Sequence, residues 1–179
     1  ISPVDGRYKN QTQELTPFFS EEALMKYRLK IEIEYFLALC EIPLPQLKSI
    51  DKSSAEKFRN LYRNFSGADS KLIKEKEKIT NHDVKALEYF LKDKMADFGW
   101  EAYKEFIHFG LTSQDINNTA FPLAIKDAIV ECYMPVLREL VEKLEQLSHE
   151  WKEIPMLART HGQAASPTRL GKEIKVFVE

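Results

Sequence analysis

His161 lies in the run Arg159-Thr160-His161-Gly162-Gln163-Ala164-Ala165-Ser166-Pro167-Thr168, where charged, polar and small residues crowd together. Imidazole is the side chain best suited to moving a proton near neutral pH. Gly162 beside it permits close backbone approach to a ligand. Thr160, Gln163 and Ser166 can donate hydrogen bonds to anionic oxygens. The same run also reads as a plain helix–helix connector with an exposed histidine, and residue types alone favour that reading.

Three further clusters carry polar chemistry. Thr80-Asn81-His82-Asp83 sets a histidine beside a carboxylate at a helix start, where free backbone N–H groups favour anions. Its plainer reading is a helix cap with an incidental histidine. Leu111-Thr112-Ser113-Gln114-Asp115-Ile116-Asn117-Asn118 gathers hydroxyls and amides, and reads equally as an N-cap at Thr112 or Ser113. Ser2-Pro3-Val4-Asp5-Gly6-Arg7-Tyr8 presents an arginine suited to phosphate and a tyrosine able to stack on a base, or is an ordinary N-terminal arm. His108 and His149 read as structural.

The elements that must position these clusters are helices. Only six glycines occur, and no alternating β-branched runs. Residues 1–19 read as irregular, broken by Pro3, Gly6 and Pro17. Ser20 caps a helix with Glu21 and Glu22 in its first turn, an apolar stripe at Leu24, Tyr27, Ile31, Tyr35 and Ala38, and an end at Pro43 and Pro45. A second helix runs from about Ser54 to Phe65, and the charge run 71–78 reads as a solvated segment. Thr80 and Asp83 open a helix that Gly99 closes; a short helix follows from Glu101 to His108, stopped near Gly110.

From Ser113 to Trp151 glycine disappears, and Val130, Tyr133, Leu137, Leu140, Leu144, Leu147 and Trp151 form a heptad seam. A helix of that length would be roughly 55 Å long. Pro122 and Pro135 should start, bend or kink it. Such a seam needs partners from later in the chain or from other subunits. Residues 156–165 then read as a loop, and Ser166-Pro167 as a helix restart. The expected organisation is all-α: a helical N-terminal domain over residues 1–110 and the first part of a long-helix bundle over 111–179. The start at Ile1 without Met, and the uncapped helical pattern from Arg169 to Glu179, read as cuts within a longer chain.

Composition narrows the function classes. Net charge is −2, so no global field points to nucleic acid. No apolar run approaches a membrane span. Cys40 and Cys132 lack any metal-ligand spacing, as do the four histidines, so no metal or other cofactor is expected. Two buried thiols would suit a reducing, cytoplasmic compartment. There is no glycine-rich phosphate loop and no Gly-x-Ser-x-Gly nucleophile elbow.

Taken in order, the segments Ser2 to Tyr8, Thr80 to Ala86, Thr112 to Asn118 and Arg159 to Gln163 resemble the adenylosuccinate lyases of the fumarase/aspartase superfamily. The first two segments distinguish that family, whereas the last two have counterparts across the superfamily. The resemblance implies a β-elimination that splits adenylosuccinate into AMP and fumarate, and releases fumarate from the succinyl-carboxamide ribotide of purine biosynthesis. By the same resemblance His161 is the general acid, and Arg7 and Tyr8 bind nucleotide. Asn81, His82 and Asp83 bind substrate, Thr112 and Ser113 hold a succinyl carboxylate, and Gln163 is a further substrate contact. The family's base is a serine in the signature Ser-Ser-x-Met-Pro-x-Lys-x-Asn-Pro, which is not among these residues. Each family site is built from three subunits of a homotetramer. Two other readings stand beside this one: another superfamily member such as argininosuccinate lyase, and a non-catalytic helical scaffold.

Overall fold

The computed structural model describes residues 2–179 and divides them into two compact units, the first ending at Ala128 and the second spanning Ile129–Glu179. Ile1, the first residue of the N-terminal segment considered above, lies outside the described residues. The fold is all-α with one small hairpin.

The first unit is built around a central helix. After 3-10 turns at Lys9–Gln11 and Gln13–Leu15 comes the single turn α1 (Thr16–Phe19), then α2 (Glu21–Glu41). Ser20 caps α2: its hydroxyl oxygen accepts from the Ala23 amide at 3.1 Å. α3 (Ala55–Arg63), α4 (Gly67–Thr80), α5 (Asp83–Met95) and α6 (Ser113–Ala128) all contact α2. That explains why the stripe expected on α2 holds only at Tyr27, which is buried. Ala38 is exposed and Leu24, Ile31 and Tyr35 are only half-buried, whereas Met25, Leu29, Ile33, Phe36, Leu37 and Cys40 are buried. A helix covered from several sides has no single apolar face.

The core joins these residues to Phe58, Ile73, Leu87, Phe90, Leu91, Met95, Trp100 and Ile107. The charge run is part of a regular helix: α4 opens with a reciprocal Ser66/Asp69 capping box and buries only Ile73. Gly99 and Gly110 take φ values of 70° and 72° at the breaks expected there, with the 3-10 turn Glu101–Phe106 between them.

A π-helical turn, Ile129–Tyr133, precedes α7 (Met134–Glu150). Pro135 explains it: proline has no N–H for the Glu131 carbonyl, and its ring would strike that carbonyl in a regular helix. The seam is only partly covered within the second unit. Leu137, Leu144, Leu147 and Trp151 are half-buried, while Val130, Tyr133 and Leu140 are more than half exposed.

The expected loop over 156–165 and helix restart at Ser166-Pro167 are both corrected. β1 (Pro155–Thr160) and β2 (Gln163–Arg169) form an antiparallel hairpin, and α8 (Leu170–Lys175) starts only afterwards. Two strands are both edges, so Pro167 fits without a missing ladder bond. The base of the hairpin is closed by the amides of Leu170 and Gly171, which donate to the carbonyls of Ile154 and Trp151 at 3.0 and 3.1 Å.

α8 packs against α7 at Gly171. A Cβ there would lie 2.2 Å from the Ser148 carbonyl oxygen and 2.7 Å from the Lys152 Cα, both backbone atoms. Gly171→Ala is therefore expected to destabilise the second unit by about 1–3 kcal/mol through overpacking. Thermal unfolding of the variant checks this, and an unchanged Tm would refute the contact.

Candidate active site

Asn81 adopts φ 51° and ends α4 in the left-handed conformation, a role asparagine tolerates. Thr80 is thus the last residue of α4, not the cap of α5 as its spacing suggests. The N-cap of α5 is His82, whose Nδ1 accepts from the Lys85 amide at 3.2 Å. With Nδ1 accepting, the neutral ring carries its proton on Nε2. That nitrogen lies 3.4 Å from the Ser113 hydroxyl. Two of the sequence clusters, far apart along the chain, therefore meet.

Asp83 stands beside His82. Its Oδ1 accepts from the Val84 amide at 2.8 Å, and its Oδ2 pairs with the Arg28 guanidinium at 2.7 Å. Burial pushes the Asp83 carboxyl up, but the Val84 amide and Arg28 outweigh it and hold the group below its ordinary value. Asn81, His82 and Asp83 line an open recess of about 340 Å³ together with Arg28, Glu21 and Glu77.

Thr112 is committed locally. Its amide and hydroxyl both donate to Asp115 Oδ2, at 2.7 and 2.9 Å, which closes the start of α6. Ser113 is the member of that pair directed at His82. Arg7 and Tyr8 are exposed on the N-terminal arm, with the guanidinium 5.3 Å from the Tyr8 ring centroid, and they do not line the recess.

His161 and Gln163 belong to the second unit. His161 and Gly162 form the two-residue tip of the hairpin, between the paired residues Thr160 and Gln163. Both tip residues have positive φ, 51° and 78°, the sign pattern of a type I′ turn. Histidine is among the few side chains that tolerate this region. The tip is solvent-exposed, so the imidazole stands clear of the ladder. The sequence signal was present: a two-residue loop ending in glycine matches this turn, but the flanking residues lack strand character.

Sequence reasoning missed two residues. One is Arg28, which carries no motif. The other is Glu32, fully buried on α2, whose Oε1 lies 2.5 Å from His108 Nδ1. Burial pushes the Glu32 carboxyl up, opposed by the His108 contact. His108 takes φ 59° and, through this pair, is fastened to the core just ahead of Thr112.

The carboxyls set the acid limit of the first unit. Glu34 is held below its ordinary value by Arg59, with Tyr62 adding a hydrogen bond. Burial pushes Glu88 up, but Lys85 and Lys92 outweigh it and the net shift is downward. Carboxyls lowered in the fold contribute stability that is fully present above their unfolded value and is lost as pH falls through the folded value. Glu32, raised instead, becomes easier to accommodate as it takes up its proton. Among the carboxyls that are at least partly buried, Glu34, Asp83 and Glu88 are lowered and Glu32 is raised, which predicts a Tm that declines once pH drops below the ordinary glutamate value of 4.5. Circular dichroism melts across pH 3–7 check this, and Glu34→Gln is expected to shallow the decline.

Comparisons with known proteins add to this geometry. The family model described as Lyase matches residues 6–179. An adenylosuccinate lyase from Dictyostelium discoideum is 51% identical over 184 residues, covering 100% of this chain and 40% of that protein. The Legionella pneumophila (strain Corby) adenylosuccinate lyase is 45% identical, covering 99% of this chain and 40% of its own length. That of Escherichia coli (strain K12) is 40% identical, covering 97% and 39%. The chain thus spans about 40% of the length of the curated relatives it matches. Among solved structures, fumarate lyase from Mesorhizobium sp. BNC1 superposes with a TM-score of 0.67 at 23% identity, covering 94% of this chain and 36% of that one. The beta-carboxy-cis,cis-muconate cycloisomerase of Acinetobacter calcoaceticus sp. ADP1 gives 0.66 at 23%, covering 93% and 37%. At that identity the two structures speak to fold alone. Among the described residues no helix is long and apolar enough to cross a membrane.

Proposed function

This chain belongs to the Lyase family, and on that premise we propose that the full-length protein eliminates fumarate from adenylosuccinate, leaving AMP. The observation that carries the reading is the 51% identity to the Dictyostelium discoideum adenylosuccinate lyase along the whole chain. The succinyl-carboxamide ribotide of purine biosynthesis is the second proposed substrate.

The reaction breaks a C–H bond next to one succinyl carboxylate and the C–N bond on the adjoining carbon: the base takes the proton, the C–H electron pair becomes the second bond of fumarate's double bond, and the C–N pair departs with the nitrogen. The purine nitrogen leaves and must gain a proton. We assign that proton to His161, exposed at the hairpin tip where an imidazole can meet a substrate. Ser113, with Thr112 at the same helix start, is assigned to the succinyl carboxylate that takes up charge in the transition state. Asn81, His82 and Asp83 are assigned to substrate around their recess, and Arg7 and Tyr8 to the nucleotide. Gln163, beside the tip, is a further proposed contact. The base is assigned to the serine signature that residues 1–179 do not contain, so these residues alone are expected to release no fumarate.

The domain division follows the same reading: residues 1–110 as the N-terminal helical domain, 111–179 as the first part of the bundle. The exposed part of the α7 seam supports covering by further helices, and a homotetramer in the cytoplasm is proposed. The test is an assay of the full-length protein on adenylosuccinate and argininosuccinate, following fumarate. Release from adenylosuccinate alone is expected. Release only from argininosuccinate would overturn the substrate, and release from neither would favour a helical scaffold.

A further inference from the structure

Arg28 touches, from inside, two of the polar clusters of the first unit, the one at the start of α5 and the one at the start of α6. It sits on α2, is 7% exposed, and belongs to none of the four segments that carry the family resemblance. Its Nη1 pairs with Asp83 Oδ2 at 2.7 Å, at the start of α5. Its Nε donates to Asn117 Oδ1 at 2.9 Å, one turn into α6. The two partners flank the His82–Ser113 contact: Asp83 follows His82 in the chain, and Asn117 lies four residues after Ser113.

A guanidinium is planar and its donors hold fixed relative directions, so two acceptors bound to it have a fixed separation. A lysine ammonium could satisfy one acceptor but would not set the distance between two. Packing also holds α6: Ile116 in its first turn is fully buried, Ala120, Ala124 and Ala128 are buried further along, and the Tyr27 hydroxyl bonds to Asp127 near its far end. Arg28 adds to this packing a directional tie, because a single guanidinium bonds both the start of α5 and Asn117, one turn into α6.

We propose that Arg28 is a positioning residue: it acts through Asp83 and Asn117 to fix the spacing between His82 and Ser113. This rests on the reading above that those two residues contact substrate. Displacements of the order of 1 Å in such groups cost about 100-fold in rate.

The experiment uses the full-length protein with Arg28→Gln, Arg28→Lys and Asn117→Ala, with Tm and assembly state measured beside kcat and KM on adenylosuccinate. In Arg28→Gln, kcat/KM is expected to fall about 100-fold. Arg28→Lys is expected to give no rescue although it keeps the charge. Asn117→Ala cuts one arm only, is half-buried and keeps the Arg28–Asp83 pair, so it is expected to lose activity in the same direction with folding intact. Folded, assembled variants with wild-type kcat/KM would overturn the proposal, as would full rescue by lysine. A second readout does not need turnover: in histidine-labelled protein the His82 ring signals, assigned by their loss in His82→Gln, are expected to move in Asn117→Ala. Unmoved signals would overturn the positioning role. Wild-type protein inactive on adenylosuccinate would instead overturn the substrate reading, leaving the ring signals to judge Arg28.

Discussion

Replacing His161 with asparagine is expected to lower fumarate release by the full-length protein about 100- to 10,000-fold, the usual contribution of a positioned general acid. Asparagine is the informative substitute because of where the residue sits. His161 holds φ 51° and is followed by Gly162 at 78°. Asn-Gly is the pair most favoured in such a two-residue turn, so His161→Asn keeps the hairpin while removing the transferable proton. Glutamine or alanine would add backbone strain at positive φ and confuse a lost proton with a lost turn. The measurement is kcat on adenylosuccinate together with circular dichroism and assembly state. A folded, assembled His161→Asn protein with wild-type kcat would remove His161 from proton donation. KM is expected to change less than kcat, because the proton is needed in the transition state more than in the bound substrate.

Replacing Phe58 with alanine is expected to destabilise the first unit by about 3–5 kcal/mol. Phe58 is fully buried on α3 and touches three aromatic rings: Phe36 on α2 at 5.8 Å between centroids, Phe98 at 5.2 Å and Trp100 at 5.1 Å. The Phe98 and Trp100 contacts are edge-on, and such pairs contribute about 0.5–1.5 kcal/mol each beyond the area they bury. Alanine would leave a cavity among rings that are held by α2 and by the segment after α5, which limits how far the site can collapse. Urea denaturation of wild type and variant measures the loss. A change below about 1 kcal/mol would mean that the cluster repacks, and would contradict the close fit described here.

Several features of this protein follow from its sequence alone, and they are the ones that depend on near neighbours. Ser20 caps α2 because a hydroxyl at that position reaches the third amide along, whatever lies elsewhere. Gly99 and Gly110 break the chain because only a residue without Cβ enters positive φ at little cost. The scarcity of glycine and of alternating strands is enough to assign the all-α class. Within the first unit the tertiary structure decided the rest. Which face of α2 is buried depended on the four helices that surround it, so of a stripe counted from spacing only Tyr27 is buried, and the rest are exposed or half-buried. His82 displaced Thr80 as the cap of α5 because Asn81 ends the preceding helix in a left-handed conformation. Arg28 carries no local signal, for its partners lie 89 and 55 residues away, and its meaning exists only once α5 and α6 are set against α2. In the second unit the hairpin was hidden for a related reason. Leu157 pairs with Pro167 and Met156 with Thr168, and no residue in either strand declares its partner until the turn at His161 and Gly162 has brought the two together.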